Sequence, residues 1–423
     1  MNNDNYLKNR CKVATQEENN RFVGIKADNN NAIVYFPLGY HLTDNDYELR
    51  KDIIHLFSII SDFKNKDEGN ISKKNFDEIY EVNFPLNAYM EIINYYMEYG
   101  YYKEIDSFYK TSDMGKVNWQ KTIKEQNPLV IKTNIQTFYP VYNSFTVKKI
   151  TPNENEEITL IHKHCVYESF KKIGWIFTSY MPSKPLGVLN KNNALIILRD
   201  KLANTNNDIK KRLFQSMIEM ISNMDENIDN QLYFGTEKFE YILEGLIDKT
   251  FGINNKEDYF PKADWNLHYN DNKSTYPLQP DTIMELNDKI YIIDAKYYKY
   301  GSTRDSKDLP DISSINKQIT YGEFINKFKG GTDKEIFNAF LLPYNKENNL
   351  FKEDNLFMNV GEAVGQWKSN KHKFEHVQCL LIDIKYLMYN YKNSSKKENI
   401  IKLANAIEEA YEKNYKFYEI NGD

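Results

Sequence analysis

Apolar residues recur along this chain in two rhythms, and each rhythm predicts a kind of element. Ala88–Tyr99 (AYMEIINYYMEY) carries Tyr89, Ile92, Ile93 and Tyr96 at helical spacing, and Asp208–Met224 presents Leu213, Met217, Ile218 and Ile221 on one helical face. Shorter runs predict strands: Ala32–Pro37 (AIVYFP), then Phe145–Ile150 and Glu157–Leu160, which flank the polar turn Thr151–Glu156 and read as a hairpin. The polar stretch Ser222–Gln231 (SNMDENIDNQ) predicts a domain boundary. Beyond it, Phe234–Phe251 reads as an amphipathic helix, and Pro280–Leu286 and Ile290–Tyr297 as a β-hairpin turning at Asn287–Asp288. A polar loop, Lys299–Asp311, leads to a helix over Ser313–Phe328, with Ser313 as its N-cap. Ile336–Leu342 and Val377–Ile384 read as buried strands, and a helix over about Lys396–Tyr418 caps the structure. Helix, hairpin, helix and strand in that order predict an α/β fold with a mixed central sheet flanked by helices. Residues 1–225 form an N-terminal mixed α+β domain, subdividing near 145, and residues 226–423 form a second domain.

Composition narrows the function classes. A chain of 423 residues has room for two or three domains, and 41% hydrophobic with 14% aromatic residues excludes disorder over its bulk. No apolar run approaches the roughly 20 residues that span a bilayer, and Met1–Arg10 lacks the apolar centre of a secretory signal. Three widely spaced cysteines, Cys11, Cys165 and Cys379, make no disulfide framework and point to a reducing cytoplasm. A net charge of −5 argues against coating nucleic acid by bulk electrostatics, yet leaves room for a local basic groove.

The segment Pro280–Lys296 holds the candidate chemistry. Asp294 and Lys296 stand two apart on a predicted strand, so both side chains leave one face. Asp281 opens the partner strand, and a tight hairpin brings it to the strand end that bears Asp294. Two converging carboxylates make a hard oxygen site suited to Mg²⁺, to which Ala295 adds its backbone carbonyl. Lys296 then places a positive charge beside an attacked phosphate. Phosphodiester hydrolysis needs such parts: a metal to acidify water and offset charge on phosphorus, and a cation to orient the nucleophile. Glu237, Glu240 and Glu244 fall on one face of the preceding helix; Glu240, between Phe239 and Tyr241, is the favoured third carboxylate, with the other two open. The competing interpretation is a structural salt bridge. An apolar strand that ends in two opposite charges pays for desolvation unless they serve a site.

With Asp281, Asp294 and Lys296 in this order, the chain resembles the PD-(D/E)xK nuclease superfamily. It is similar more specifically to restriction endonucleases of the LlaJI type, through Phe234–Tyr241 (FGTEKFEY), Tyr259–Trp265 (YFPKADW), Pro280–Gly301 and Asp311–Glu323, within residues 230–325. The McrC nuclease subunit carries a similar Pro-Asp…Asp-Ala-Lys-Tyr segment. Asp stands before Ala295 where much of the superfamily has Glu; the signature admits both. The resemblance implies a C-terminal PD-(D/E)xK core and a Mg²⁺-dependent endodeoxyribonuclease of a bacterial restriction-modification system, leaving 5′-phosphate and 3′-hydroxyl ends. It further implies double-stranded DNA as substrate, a cognate DNA methyltransferase, a homodimer on DNA, and a GTPase partner only on the McrC side. Residues 1–225 would then recognise DNA. Gln318 and Tyr321, at i and i+3, match an arrangement in nucleases similar to RecB and McrC, where Gln318 would contact a phosphate or order the metal ligands and Lys317 a phosphate.

Other motifs carry less. His162, His164 and Cys165 (HKHC) lack a second ligand pair at zinc-finger spacing, so a structural role is expected. Gly330–Gly331 reads as a loop without a phosphate cradle. Trp119, with Lys116 and Lys121, has the makings of a base-stacking contact, but a core tryptophan is the favoured expectation. A RecB-like exonuclease and a non-catalytic DNA-binding module stand as alternatives.

Overall fold

A computed structural model describes residues 7–17, 20–27, 32–67, 80–82, 84–132, 138–153, 156–223, 232–269, 273–328, 334–392 and 396–421. The Gly330–Gly331 loop and most of Ser222–Gln231 lie outside them. Two compact units result: Met1–Asn83 together with Asn230–Asp423, and Phe84–Asp229. One edge falls at the expected boundary, but a single cut near 225 does not describe the chain.

The reason is a shared sheet. Its strands run in the order Cys11–Val13, Ala32–Phe36, Val23–Ala27, Leu232–Thr236 and Tyr80–Val82. Phe234 therefore opens no helix; it pairs with Ile25 on an antiparallel strand, and the helix begins at Phe239. Gly24 faces Gly235 across this pairing, and a Cβ on either would stand 2.2 Å from the opposing carbonyl oxygen. Only glycine permits that approach, so the N-terminal segment is fastened to the C-terminal half by backbone.

The second sheet of this unit positions the candidate site. Its order is Thr282–Leu286, Lys289–Ala295, Glu335–Tyr344, His376–Asp383 and Phe357–Val364. The first two strands form the expected hairpin, with Asn287 at φ 53° in its turn. Lys289–Ala295 then runs parallel to Glu335–Tyr344, and that strand parallel to His376–Asp383, through a crossover over the helix Ile312–Phe328. A parallel pair needs such a crossover. The helix starts one turn residue earlier than expected, and Asp311, not Ser313, is its cap: the Asp311 carboxylate accepts from the Ser314 amide at 3.0 Å.

Period-2 alternation sorts the hairpin's side chains. Ile283, Ile290 and Ile292 pack against Tyr321 and Ile325 of the crossover helix. On the other face Tyr291 stacks on Phe337 and donates to Glu408 of the C-terminal helix Lys396–Asn421. Helices thus cover both faces, which is why these strands read as unbroken apolar runs. The fold is mixed α/β, as expected. Among the described residues no helix is long and apolar enough to cross a membrane.

In the unit Phe84–Asp229, helices Leu86–Tyr99, Glu157–Ile173, Lys191–Asn204 and Asp208–Ser222 accompany two antiparallel ribbons, Glu104–Thr111 with Thr146–Asn153 and Leu129–Lys132 with Phe138–Val141. Glu157–Leu160 is thus helical, not the return strand of a hairpin; its apolar run is one face of a longer helix. His162 lies buried on that helix, where its Nδ1 accepts from the Tyr102 amide at 2.8 Å. Burial holds its imidazole down at about 3, so the ring stays neutral in a structural role.

Candidate active site

Hairpin register explains why Asp281 and Asp294 meet. Thr282 pairs with Ile293, so the residue before one faces the residue after the other. The Asp281 carboxylate accepts from the Ala295 amide at 3.0 Å, and Lys296 Nζ lies 2.5 Å from Asp294 Oδ2. Asp294 is 3% exposed. All three side chains stand on the face that also carries Ile283 and Ile292, and the sheet ends there. The hairpin thus places Asp281, Asp294 and Lys296 together at one sheet end.

Electrostatics picks out the third carboxylate. Burial, then the charges of Asp294 and Glu244, push the Asp281 carboxyl up to about 8. Burial and Asp294 push Glu244 up to about 7, with Lys296 opposing and Glu240 adding a lesser repulsion. Glu244 is thus the glutamate whose charge reaches the aspartate pair, rather than Glu240. Glu237 precedes the helix Phe239–Phe251, so the three glutamates do not share one helical face. For Lys296, burial alone would favour the neutral amine, but the Asp294 charge and ion pair outweigh it and raise the ammonium above its ordinary pKa.

Gln318 does not reach a phosphate. It is 1% exposed, and its amide donates to the Ile292 carbonyl at 3.1 Å and the Ala339 carbonyl at 3.3 Å. It therefore braces the Asp294 strand to its neighbour, two residues before the aspartate. Tyr321 donates to the Gln279 carbonyl at 2.9 Å and so pins the lead into Asp281. The i, i+3 pair is a positioning pair: the helix grips both arms of the hairpin. Gln318→Leu is expected to lower stability by about 1–3 kcal/mol through two orphaned carbonyls and cleavage by about 10–100-fold through a loosened Asp294. Thermal unfolding and a nicking assay read the two effects separately. Lys317 is exposed on the same helix.

Sequence reading missed Lys256. Its ammonium donates to the Asp281 backbone carbonyl and, at 2.9 Å, to Asp248 at the end of the preceding helix. A lone lysine in a loop gives no signal of this. Tyr297 was also missed: its hydroxyl accepts from the Leu38 amide at 2.7 Å, tying the strand end to the N-terminal segment of the same unit.

Among the described residues, no three His, Cys, Asp or Glu side chains already stand at one ion's coordination distance. The donor set nonetheless suits a hard divalent cation, because three carboxylates gather beside the Lys296 ammonium, and burial and mutual repulsion raise the pKa of Asp281 and Glu244.

This is a mixed α/β protein with an acidic, lysine-bearing site at a sheet end. The chain belongs to the LlaJI restriction endonuclease family, whose family model matches residues 22–363. It is also similar to the Type II restriction enzyme BsuMI component YdjA of Bacillus subtilis (strain 168), with 27% identity over 273 residues, 60% of this chain and 57% of that protein. The chain thus spans a little over half the length of that curated relative. The likeness expected over residues 230–325 extends through most of the N-terminal half.

Proposed function

We propose that this chain is a Mg²⁺-dependent, site-specific endodeoxyribonuclease of a bacterial restriction-modification system, built on a PD-(D/E)xK core. The single observation that carries the reading is the gathering of Asp281, Asp294 and Lys296 at one sheet end, with Glu244 behind them. Asp281 and Asp294 would hold the cation together with the Ala295 carbonyl, and Glu244 would reach it through a water. When bound, Mg²⁺ acidifies a water and offsets charge on the phosphoryl oxygens. Lys296, held as an ammonium, positions that water and the scissile phosphate rather than removing a proton. In-line attack forms a P–O bond, breaks the P–O3′ bond and leaves a 5′-phosphate and a 3′-hydroxyl. DNA recognition falls to the unit Phe84–Asp229.

A companion polypeptide belongs to the reading, because the Bacillus subtilis relative is described as a component of its enzyme. A methyltransferase, a second copy for the opposite strand, and a GTPase of the McrC kind are the candidates. Incubation of the purified chain with supercoiled plasmid and Mg²⁺, with and without GTP, tests this. Sequencing the ends then reads the chemistry. Linear or nicked product with 5′-phosphate ends is expected. Product that forms equally in EDTA would overturn the metal assignment, and shortening of linear DNA alone would turn the reading toward an exonuclease.

A further inference from the structure

The unit Phe84–Asp229 carries a surface that the cutting chemistry does not use. Trp119, expected in a core, is 56% exposed at the start of the helix Trp119–Glu125, with its ring edge-on to Phe145 at 5.6 Å. Lys121 of that helix lies 3.8 Å from the centre of the Tyr109 ring. Tyr109 in turn faces Lys148 across the ribbon Glu104–Thr111/Thr146–Asn153, and the Lys148 amide donates to the Lys116 carbonyl at 3.4 Å. Three lysines and three aromatic rings therefore share one neighbourhood.

Charge separates this neighbourhood from the rest of the chain. Residues 108–149 hold seven lysines and two acidic residues, in a protein whose net charge is −5. Among the described residues, none of the seven pairs with a carboxylate, whereas Lys201 of the same unit binds Glu104 at 2.7 Å. The second ribbon, Leu129–Lys132 with Phe138–Val141, is exposed at every position despite its apolar side chains. A lone two-stranded ribbon is marginal in water, and exposed apolar surface of this kind marks a contact site. The ribbon begins four residues after the lysine-bearing helix ends and carries its own cation, Lys132, over the Phe138 ring, and lysines without carboxylate partners complement a polyanion. Ribbons of this width enter DNA grooves, and apolar side chains wedge between base steps there.

We infer that Lys116, Lys121 and Lys148, with Trp119 and the Phe138-bearing ribbon, form the contact surface for duplex DNA. The lysines neutralise backbone phosphates, and the exposed rings pack into the groove. The inference rests on the proposed DNA-cutting function and names the surface that holds the substrate for it.

Fluorescence anisotropy of the full chain with a labelled 30-base-pair duplex in EDTA, from 50 to 200 mM NaCl, is the test. The triple variant Lys116→Ala/Lys121→Ala/Lys148→Ala is expected to bind about 10²-fold more weakly, with the salt slope reduced by about 2.7, or about 0.9 per lost phosphate contact. Trp119→Ala is expected to lose about tenfold. Both changes fall at the surface, so an unchanged Tm shows that folding is intact. Asp294→Asn, far slower in Mg²⁺-dependent cleavage, should bind the duplex in EDTA with the parent's salt slope. Equal affinity and slope in parent and triple variant would overturn the inference. So would a loss confined to single-stranded DNA. A Phe138→Ser variant that keeps duplex binding but abolishes a self-association seen by sedimentation would make the ribbon a protein interface and equally overturn it. A parent that binds no DNA at all would instead sink the proposed function beneath it.

Discussion

Asp294→Asn is expected to slow plasmid cleavage at saturating Mg²⁺ by about 10³-fold or more while the chain stays folded. Removal of a single preorganised charge-stabilising group typically costs about 10²–10³ in rate, and Asp294 has two duties: it would ligate the cation, and it holds the Lys296 ammonium at 2.5 Å. Asparagine keeps the volume and still accepts from Lys296, which is why it is preferred to alanine. Alanine would leave a half-buried ammonium without its partner, a change that costs several kcal/mol and confuses unfolding with lost chemistry. Nicking rates measured across a Mg²⁺ series, beside Tm and duplex affinity, separate the causes. A purely structural salt bridge predicts the reverse pattern: lower Tm and an unchanged rate for the folded fraction. If the variant cuts within about tenfold of the parent, Asp294 is no ligand and the site must be sought elsewhere.

The hairpin was legible because its signal is local. Ile290–Ile293 is a run too apolar for an edge, the turn at Asn287–Asp288 is short, and period-2 spacing fixes Asp294 and Lys296 to one face. Register then follows from turn length, so Asp281 had one place to go. What escaped was set by contacts between distant segments. Phe234–Thr236 reads as the first turn of a helix, yet its backbone pairs with Val23–Ala27 and Tyr80–Val82, and no periodicity in residues 230–251 announces those partners. The choice among the three glutamates depends on the same kind of contact: the helix starts at Phe239, after Glu237, and Glu244, left open beside the favoured Glu240, is the one whose carboxyl the Asp294 charge raises. For Gln318 the spacing leaves a phosphate contact and an ordering of the metal ligands both open, and its burial against the Ile292 and Ala339 carbonyls fits the second, because spacing locates a face and burial decides what it touches. Trp119 inverts the usual preference: large aromatics favour interiors, yet this one stands exposed at the head of a lysine-bearing helix, a placement that the spacing of residues 116–123 does not announce.

Asp281→Asn should make the metal-free protein more stable at pH 8.5 and indifferent to Mg²⁺. The Asp281 carboxyl is raised from an ordinary 3.8 to about 8, first by burial and then by Asp294 and Glu244. A raised acid binds its proton more tightly in the folded state than in the unfolded chain, so its contribution to stability is greatest below about pH 4 and is lost as pH climbs through the folded value. Glu244, raised to about 7, adds a loss of the same sign one step earlier. Metal-free parent protein is therefore expected to lose stability between pH 6 and pH 8.5, as negative charge appears first on Glu244 and then on Asp281. Asparagine removes one of those charges while its oxygen still accepts from the Ala295 amide, so the variant should melt about 2–4 °C above the parent at pH 8.5, the shift that about 1 kcal/mol produces in domains of this size. Mg²⁺ competes with the same protons, and its stabilisation of the parent should grow from pH 6 to pH 8.5 as they leave. Thermal melts of both proteins at the two pH values, with EDTA or excess Mg²⁺, check the whole scheme. A parent whose metal-free Tm does not fall relative to the variant, or a variant that Mg²⁺ stabilises as strongly as the parent, would show that these carboxylates neither share a buried corner nor hold the cation between them.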